Sequence, residues 1–512
     1  MLVSGKSRCQ SKTPHRMLTL MFVDSVDPDI APSGTLLGLL QRGRGDGTLH
    51  ALAAPRTEAL AALRQCVLHD PRRDWQLEHR SLYYARLQVE LDAGLDAFEQ
   101  HLFHPDDCPV DDGTSCADSG TETRTGLCLS VLGHLVGYGD EEALRLLRRY
   151  AAAGANWQWA LDELAVRDDD EGLRPLGPAV LARFPHTPEG DTALAAAARD
   201  AFEPRPWRLW AEDPQRPRQA ERLRRVREQG CFDRWQRQLS TPGPRPGWSV
   251  PEILDWAQDG YEAHPPQHRE APAARCLAAV AGPGDRPQLL AAARGLREGA
   301  RAAAVRHLAE RGDPAALDLI REAAADPCES VARSACASFG RMRSAAALDR
   351  ARQWCAVPEG TLPAGLAAAA AEMLACCGGP ADAEAVLHAL RDTVRREGPD
   401  SDRLRPLVDG AGRLRIGCAA PVLRHVYRET ASSQLRGRAA GALAATDPSF
   451  AAGFAVECLW DCEETTREVA AEHAATGDER VVERLRRLAT DPAEEEGVQS
   501  AVRGRLSPDG GR

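Results

Sequence analysis

Lysine is nearly missing from this chain. Of 64 basic residues only Lys6 and Lys12 are lysine, and every later cation is arginine. Codon usage in a GC-rich bacterial genome accounts for the bias, because arginine also fills ordinary solvent-facing helix positions. The change of usage sets residues 1 to 16 apart: either they lie outside the folded unit, or translation begins at Met17 or Met21. Isoleucine is scarce as well, with four in 512 residues, and aromatics make up 5%. Sheets draw on β-branched and aromatic side chains, so this composition disfavours them and favours helices rich in alanine and leucine. Long apolar runs are also lacking. The stretch MLTLMFV at 17–23 stops at Asp24 without a cleavage site, and the Ala-rich stretch at 362–377 is broken by Glu372. No segment reaches the roughly 18 apolar residues of a membrane span, and a cytoplasmic protein is expected. Fifteen cysteines form no compact framework, which suits reduced thiols used as small core residues.

What the chain does contain is repetition. Gly312 to Pro327 (GDPAALDLIREAAADP) and Gly477 to Pro492 (GDERVVERLRRLATDP) align without a gap, and GDEEALRLLRRYA at Gly139 to Ala151 shares their opening frame. Each unit reads as a helical hairpin. Asp313 is placed to cap a helix with Pro314 at its first position, and Leu317, Ile320 and Ala324 then share a face. Asp326 and Pro327 end that helix and open another, in which Val331, Ala335 and Phe339 recur every four residues before Gly340. A lone hairpin leaves one face wet, so neighbours must stack into a solenoid. Breaks by Gly, Pro and Asp come too often for a coiled coil.

The pattern resembles the HEAT and HEAT-like repeat family. Asp326, Val331, Arg333 and Ala335 stand where that family's second helix carries Asp, Val, a basic residue and Ala. The likeness is clearest at 312–342 and 477–506, recognisable at 139–166, and loose elsewhere, as in GGPADAEAVLHALRD at 378–392. It implies an all-α fold, an α-solenoid of stacked helical hairpins, and a habit of binding other molecules. It carries over no catalytic residue, metal or cofactor.

Five zones follow along the chain. Residues 1–50 are a leader and loop ending in QRGRGDG, expected to be flexible. Residues 51–202 form a first helical block, in which Tyr83, Leu87 and Leu91 share a face and an acidic loop at 105–123 interrupts. Residues 203–250 are a connector rich in Pro, Trp and Arg. Residues 251–506 form the second repeat array, and 507–512 a disordered tail.

Four constellations bear on function. His101, His104, Cys108 and Cys116 offer zinc donors, but their spacing matches no zinc-finger pattern, and Asp106, Asp107, Asp111 and Asp112 lack the alternation of a calcium loop. A solvated acidic loop is the expected reading. From Glu203 to Trp256, Arg205, Arg208, Arg216, Arg218, Arg222, Arg224, Arg225 and Arg227 interleave with Trp207 and Trp210, followed by Trp235, Trp248 and Trp256. Basic grooves with stacking aromatics hold single-stranded nucleic acid. Against this, the net charge is −11, and Glu203, Glu212, Glu221 and Glu228 are placed to neutralise part of the zone. His69, Asp70, Asp74, Glu78 and His79 surround Trp75 and could serve acid–base chemistry, but a polar turn between two helices is the expected reading. In ANWQWALDELA, Trp157 and Leu161 stand at i,i+4 and Trp159 faces elsewhere, so one Trp is expected in the core and the other as an exposed anchor.

The leading expectation is a non-enzymatic scaffold or adaptor that binds a protein partner, with Trp157, Trp159, Trp207, Trp210, Arg205 and Arg208 as anchors. A nucleic-acid-associated protein working through 203–256 is the second reading. A lyase-type enzyme using His69, Asp74 and Glu78 is the third.

Overall fold

A computed structural model describes residues 30–71, 79–104, 119–229, 247–358 and 360–507. Residues 1–29 and 508–512, where the leader and tail were placed, lie outside this set. Every regular element among the described residues is a helix. The helices pack with their sequence neighbours as hairpins, the arrangement of a HEAT-like α-solenoid.

The repeats named above do form hairpins. Asp140 accepts hydrogen bonds from the amides of Glu142 and Ala143 at the start of helix Glu141–Ala153, which buries Ala143, Leu146, Leu147 and Tyr150. Asp478 accepts from Arg480 N at the start of Glu479–Thr490, burying Val481, Leu485 and Leu488. At the third copy the carboxylate of Asp313 accepts from Ala315 N at 2.9 Å, and the helix opens only at Ala316. Its buried stripe is therefore Ala316, Leu319, Ile320 and Ala323, while Leu317 sits half-buried at the edge. The second helix, Glu329–Phe339, buries Val331, Ala335 and Phe339 as its four-residue spacing requires. Small residues let these helices approach closely. A side chain on Gly410 would come within 2.5 Å of Ala375 Cβ, so helices Ala364–Cys377 and Leu404–Arg413 meet almost backbone to backbone.

Successive hairpins are joined by arginine. Arg286 reaches 27 residues ahead to Asp313, with contacts of 2.6 and 3.0 Å. Arg352 bonds Asp382 at 2.9 and 3.1 Å, and Arg424 bonds Asp447 at 2.7 Å. These guanidinium groups lie on first helices. A matching row on second helices comprises Arg301–Asp326, Arg436–Asp461 and Arg467–Glu494. Most of the carboxylates also hold a nearby backbone amide: Asp326 that of Cys328, Asp461 that of Glu463, and Glu494 that of Glu495. One acidic residue thus starts its own helix and receives the arginine of the preceding hairpin. Arg333, which the repeat pattern singles out, has a different role, pairing within its own helix with Glu329 on the surface.

The chain divides into two compact units. One contains residues up to 239 together with 431–440 and 449–512, and the other contains 240–430 and 441–448. In this division the last repeats fall with the first helical block. The region 41–47, read above as flexible, is part of this junction. Gly43 turns with φ +66°, a conformation that a side chain would strain, and its carbonyl accepts a hydrogen bond from Cys462 N at 2.9 Å. A Cβ on Gly43 would fall 2.4 Å from Cys462 Sγ. Helix Gly45–Ala53 then packs on helix Phe454–Cys458. The connector is also largely helical up to 229, with Arg205–Ala211 and Pro217–Gln229 belonging to the first unit. Tyr83, Leu87 and Leu91 are buried there.

The junction is held by buried charge. Arg467 bonds Glu494 bidentately at 2.9 and 2.7 Å and spends its remaining nitrogen on the carbonyls of Asp461 and Cys462. Arg86, from the early helix Arg80–Glu90, reaches Glu494 at 3.1 Å and Asp491 at 2.9 Å. Burial pushes the Glu494 carboxyl up, but Arg467 and Arg86 outweigh it and hold the group down near about 2. A carboxyl depressed on folding gives stability that is fully present above its unfolded value of about 4.3 and is lost as pH falls toward the folded value. Urea unfolding of the first unit should therefore weaken progressively from about pH 5 to pH 2. Glu494→Gln should cost about 3–5 kcal/mol at neutral pH, since it leaves two buried guanidinium groups short of their partner. Equal stability of the variant and the parent at pH 7 would contradict this account.

Candidate functional site

The arginine and tryptophan zone is built inward. Trp207 and Trp210 are 4% and 2% exposed, and Trp157 is buried beside them. The three indoles meet edge to face, with centroids 6.3 Å apart for Trp157 and Trp207 and 5.3 Å for Trp207 and Trp210. Trp210 Nε1 donates to Leu173 O at 2.9 Å, which satisfies its polar edge inside the core. In the free protein these three side chains, expected as partner anchors, are packed in the core and not offered at the surface. Trp159 is half-buried and donates to Ser130 Oγ at 3.0 Å. Arg205 is also engaged, bonding Asp170 and the carbonyls of Ala165 and Asp168. Only Arg208 among the six stands exposed.

Three further cations of the zone are paired, while Arg218 and Arg225 stand exposed, as Arg208 does. Arg216 pairs with Asp213, Arg222 with Asp191 and Arg224 with Glu221. A phosphate backbone would have to displace these three carboxylates, which leaves Arg208, Arg218 and Arg225 as the cations open to it. Trp235 lies outside the described residues, while Trp248 and Trp256 stack edge to face 6.5 Å apart in the other unit.

The remaining constellations can be followed only in part. Cys108, Cys116 and the acidic residues 106, 107, 111 and 112 lie outside the described residues, as do Asp74, Trp75 and Glu78. His101 is half-buried with Nε2 3.1 Å from Arg124 O, and its ring meets that of His69 edge to face at 5.7 Å. Burial, the first cause, lowers the pKa of His101. Among the described residues no group of three or more His, Cys, Asp or Glu is arranged to hold a metal ion.

A site that sequence reasoning missed lies in the second unit. A cavity of about 460 Å³ opens where the turn 356–363 of one hairpin faces the end of helix Ala383–Glu397 in the next. That volume falls within the range of ligand pockets, roughly 300–1,000 Å³. Trp354, Val357, Leu362, Ala371 and Leu407 supply apolar walls. Phe339 packs on Trp354 from behind, with centroids 4.6 Å apart, and fixes that wall. Burial pushes the Cys355 thiol in the lining up to about 11, so it stays protonated and a poor nucleophile.

Charge in the cavity is distributed unevenly. On the rim Arg396 Nε donates to Asp392 at 3.0 Å and Arg403 Nη1 donates to Glu397 at 2.5 Å. Glu397 also accepts from Ser401 Oγ at 2.6 Å. Glu372, on helix Ala364–Cys377 between buried Ala371 and Met373, makes no hydrogen bond or ion pair among the described residues. Burial raises its pKa, Arg403 partly offsets this, and Glu397 adds to it. The arrangement is suited to binding: an apolar wall, two neutralised rim pairs and one carboxyl without a partner.

Stacked helical hairpins with arginine cross-links define an α-helical repeat protein. Residues 286–362 match the family of HEAT repeats, and the helical hairpins on either side of that stretch fit a HEAT-repeat protein. The match ends at the turn that walls the cavity. No curated protein matches the chain.

A carboxyl whose pKa is raised on folding destabilises the native state increasingly as pH rises through that value. Glu372→Gln should therefore stabilise the second unit at pH 7 by about 1 kcal/mol, the lower end of the cost of an unsatisfied buried polar group. The gain should vanish in acid, and thermal unfolding at pH 4 and pH 7 measures both. A destabilised variant at pH 7 would show that Glu372 has a structural partner.

Proposed function

We propose that this chain is a non-enzymatic scaffold or adaptor that binds a protein partner, with the cavity of the second unit as its principal contact. The observation that carries the reading is the unmatched carboxyl in an open apolar cleft. A fold under selection for stability alone would neutralise such a group, as it has neutralised the arginines around it. HEAT repeats commonly mediate protein interactions, and their cross-linked hairpins make a firm support for a recess between turns. Free thiols at all eleven described cysteines agree with a reducing compartment, and we place the protein in the cytoplasm. No described helix is long and apolar enough to cross a membrane.

The test uses the full chain, tagged, as bait in its native host, beside an Ala367→Trp variant. Ala367 is an exposed lining residue, so an indole there fills the mouth of the cavity without disturbing the core. Proteins retained at least tenfold better by the parent than by the variant, in the presence of nuclease, are the expected result. Identical retention by both chains, or loss of every captured protein on nuclease treatment, would refute the reading.

A further inference from the structure

Apolar contact alone would make the cavity indifferent to charge, but its residues are not indifferent. Each rim arginine already has a carboxylate: Arg396 has Asp392, and Arg403 has Glu397. An anionic ligand would have to break one of these pairs, whereas a cation meets Glu372 with nothing to displace. The neighbouring wall is aliphatic. Glu372 lies one helical turn beyond Ala367 and Ala368 and beside Ala371, and Leu407 and the buried edge of Trp354 complete the recess. A complementary ligand therefore has a flexible apolar stem ending in a positive charge.

We propose that the cavity receives a lysine or arginine side chain of a protein partner, its stem against Ala367, Ala371 and Leu407 and its cationic head at Glu372. The proposal rests on the scaffold reading for the source of that side chain, while the preference for a cation stands on the cavity alone. Methylene stems of Lys and Arg pack on apolar surface as readily as their heads seek a carboxylate, and both demands are met here within one recess. The volume leaves room for an apolar residue beside the basic one, so the favoured epitope is a basic residue flanked by Leu or Val.

Glu372 behaves in this scheme as a recognition residue held in readiness. In the free protein its charge is offset only in part, by the field of Arg403, and in the complex it is met directly, so the partner relieves a cost built into the fold. Glu372 also excludes competitors, because an acidic side chain entering the recess would meet its carboxylate while the rim arginines are already paired. Discrimination thus comes from one carboxyl at the centre and two closed ion pairs around it.

The experiment titrates the full chain with three short capped peptides, Leu-Lys-Leu, Leu-norleucine-Leu and Leu-Glu-Leu, followed by ligand-observed NMR, and repeats the series with Glu372→Gln and Glu372→Asp. The lysine peptide should bind the parent at least tenfold tighter than the norleucine peptide, and the glutamate peptide should bind weakest. Glu372→Gln should bring the lysine peptide down to the norleucine level, and Glu372→Asp should recover part of the difference. Equal binding of lysine and norleucine peptides, or an unchanged preference in Glu372→Gln, would overturn the proposal. Cadaverine as an added probe separates the sources of the cation: binding as tight as the lysine peptide would overturn the assignment to a protein side chain. If the lysine preference holds while Ala367→Trp retains every captured partner, the scaffold reading fails and the cation specificity of the cavity stands.

Discussion

The arginine–carboxylate staple between successive hairpins is the constraint on which this molecule depends. A helical hairpin has no fold of its own, and apolar stripes of Ala and Leu would tolerate sliding by a turn with little loss of buried area. Guanidinium groups do not tolerate it. Their planar fork matches a carboxylate in only a narrow set of positions, so Arg301–Asp326 or Arg436–Asp461 fixes both the register and the angle of the next hairpin. Where the staple is exposed, as at Arg286–Asp313, it contributes orientation more than energy. Where it is buried, as at Arg467–Glu494, replacement by apolar residues could be neutral, but removal of one partner is costly. The near-total replacement of lysine by arginine acquires a structural use here, whatever its origin in codon bias.

How much of this was legible in the sequence follows from distance along the chain. The hairpins were legible because their signals are local: Asp at a helix start, Pro after it, and apolar residues at helical spacing. Val331, Ala335 and Phe339 could be placed in the core from their order alone. The staples were not, since a partner 20 to 30 residues away is recognisable only once the stacking register is known. The tryptophans misled for a related reason. Trp207 and Trp210 sit among arginines in the sequence, but helix Arg205–Ala211 turns them inward and leaves Arg208 outside.

The cavity escaped detection because it is formed where the repeat is imperfect. The turn 356–363 and the segment 398–403 depart from the tight connections of the regular copies, and two irregular turns on neighbouring hairpins leave a recess that neither signals alone. Glu372 was noticed only as the residue that interrupts an alanine-rich run. Its meaning depends on Arg403 being held by Glu397, a relation between three side chains on three elements.

The first unit has a consequence for how the protein comes into being. Its helices come from an early stretch and a late one, with the whole of the second unit encoded between them. Gly43 and Arg86 leave the ribosome long before Cys462, Asp491 and Glu494 exist. At a synthesis rate of about 5–20 residues per second, the interval is roughly 20 to 80 seconds. During that time Arg86 has no carboxylate, and the seat around Gly43 and Tyr83 is open to water. The second unit, contiguous but for a short later segment, can mature meanwhile. Birth order therefore runs against sequence order: the segment made first is the last to be finished, and the cells that make this protein must shelter an open half-unit while the middle of the chain is already folded.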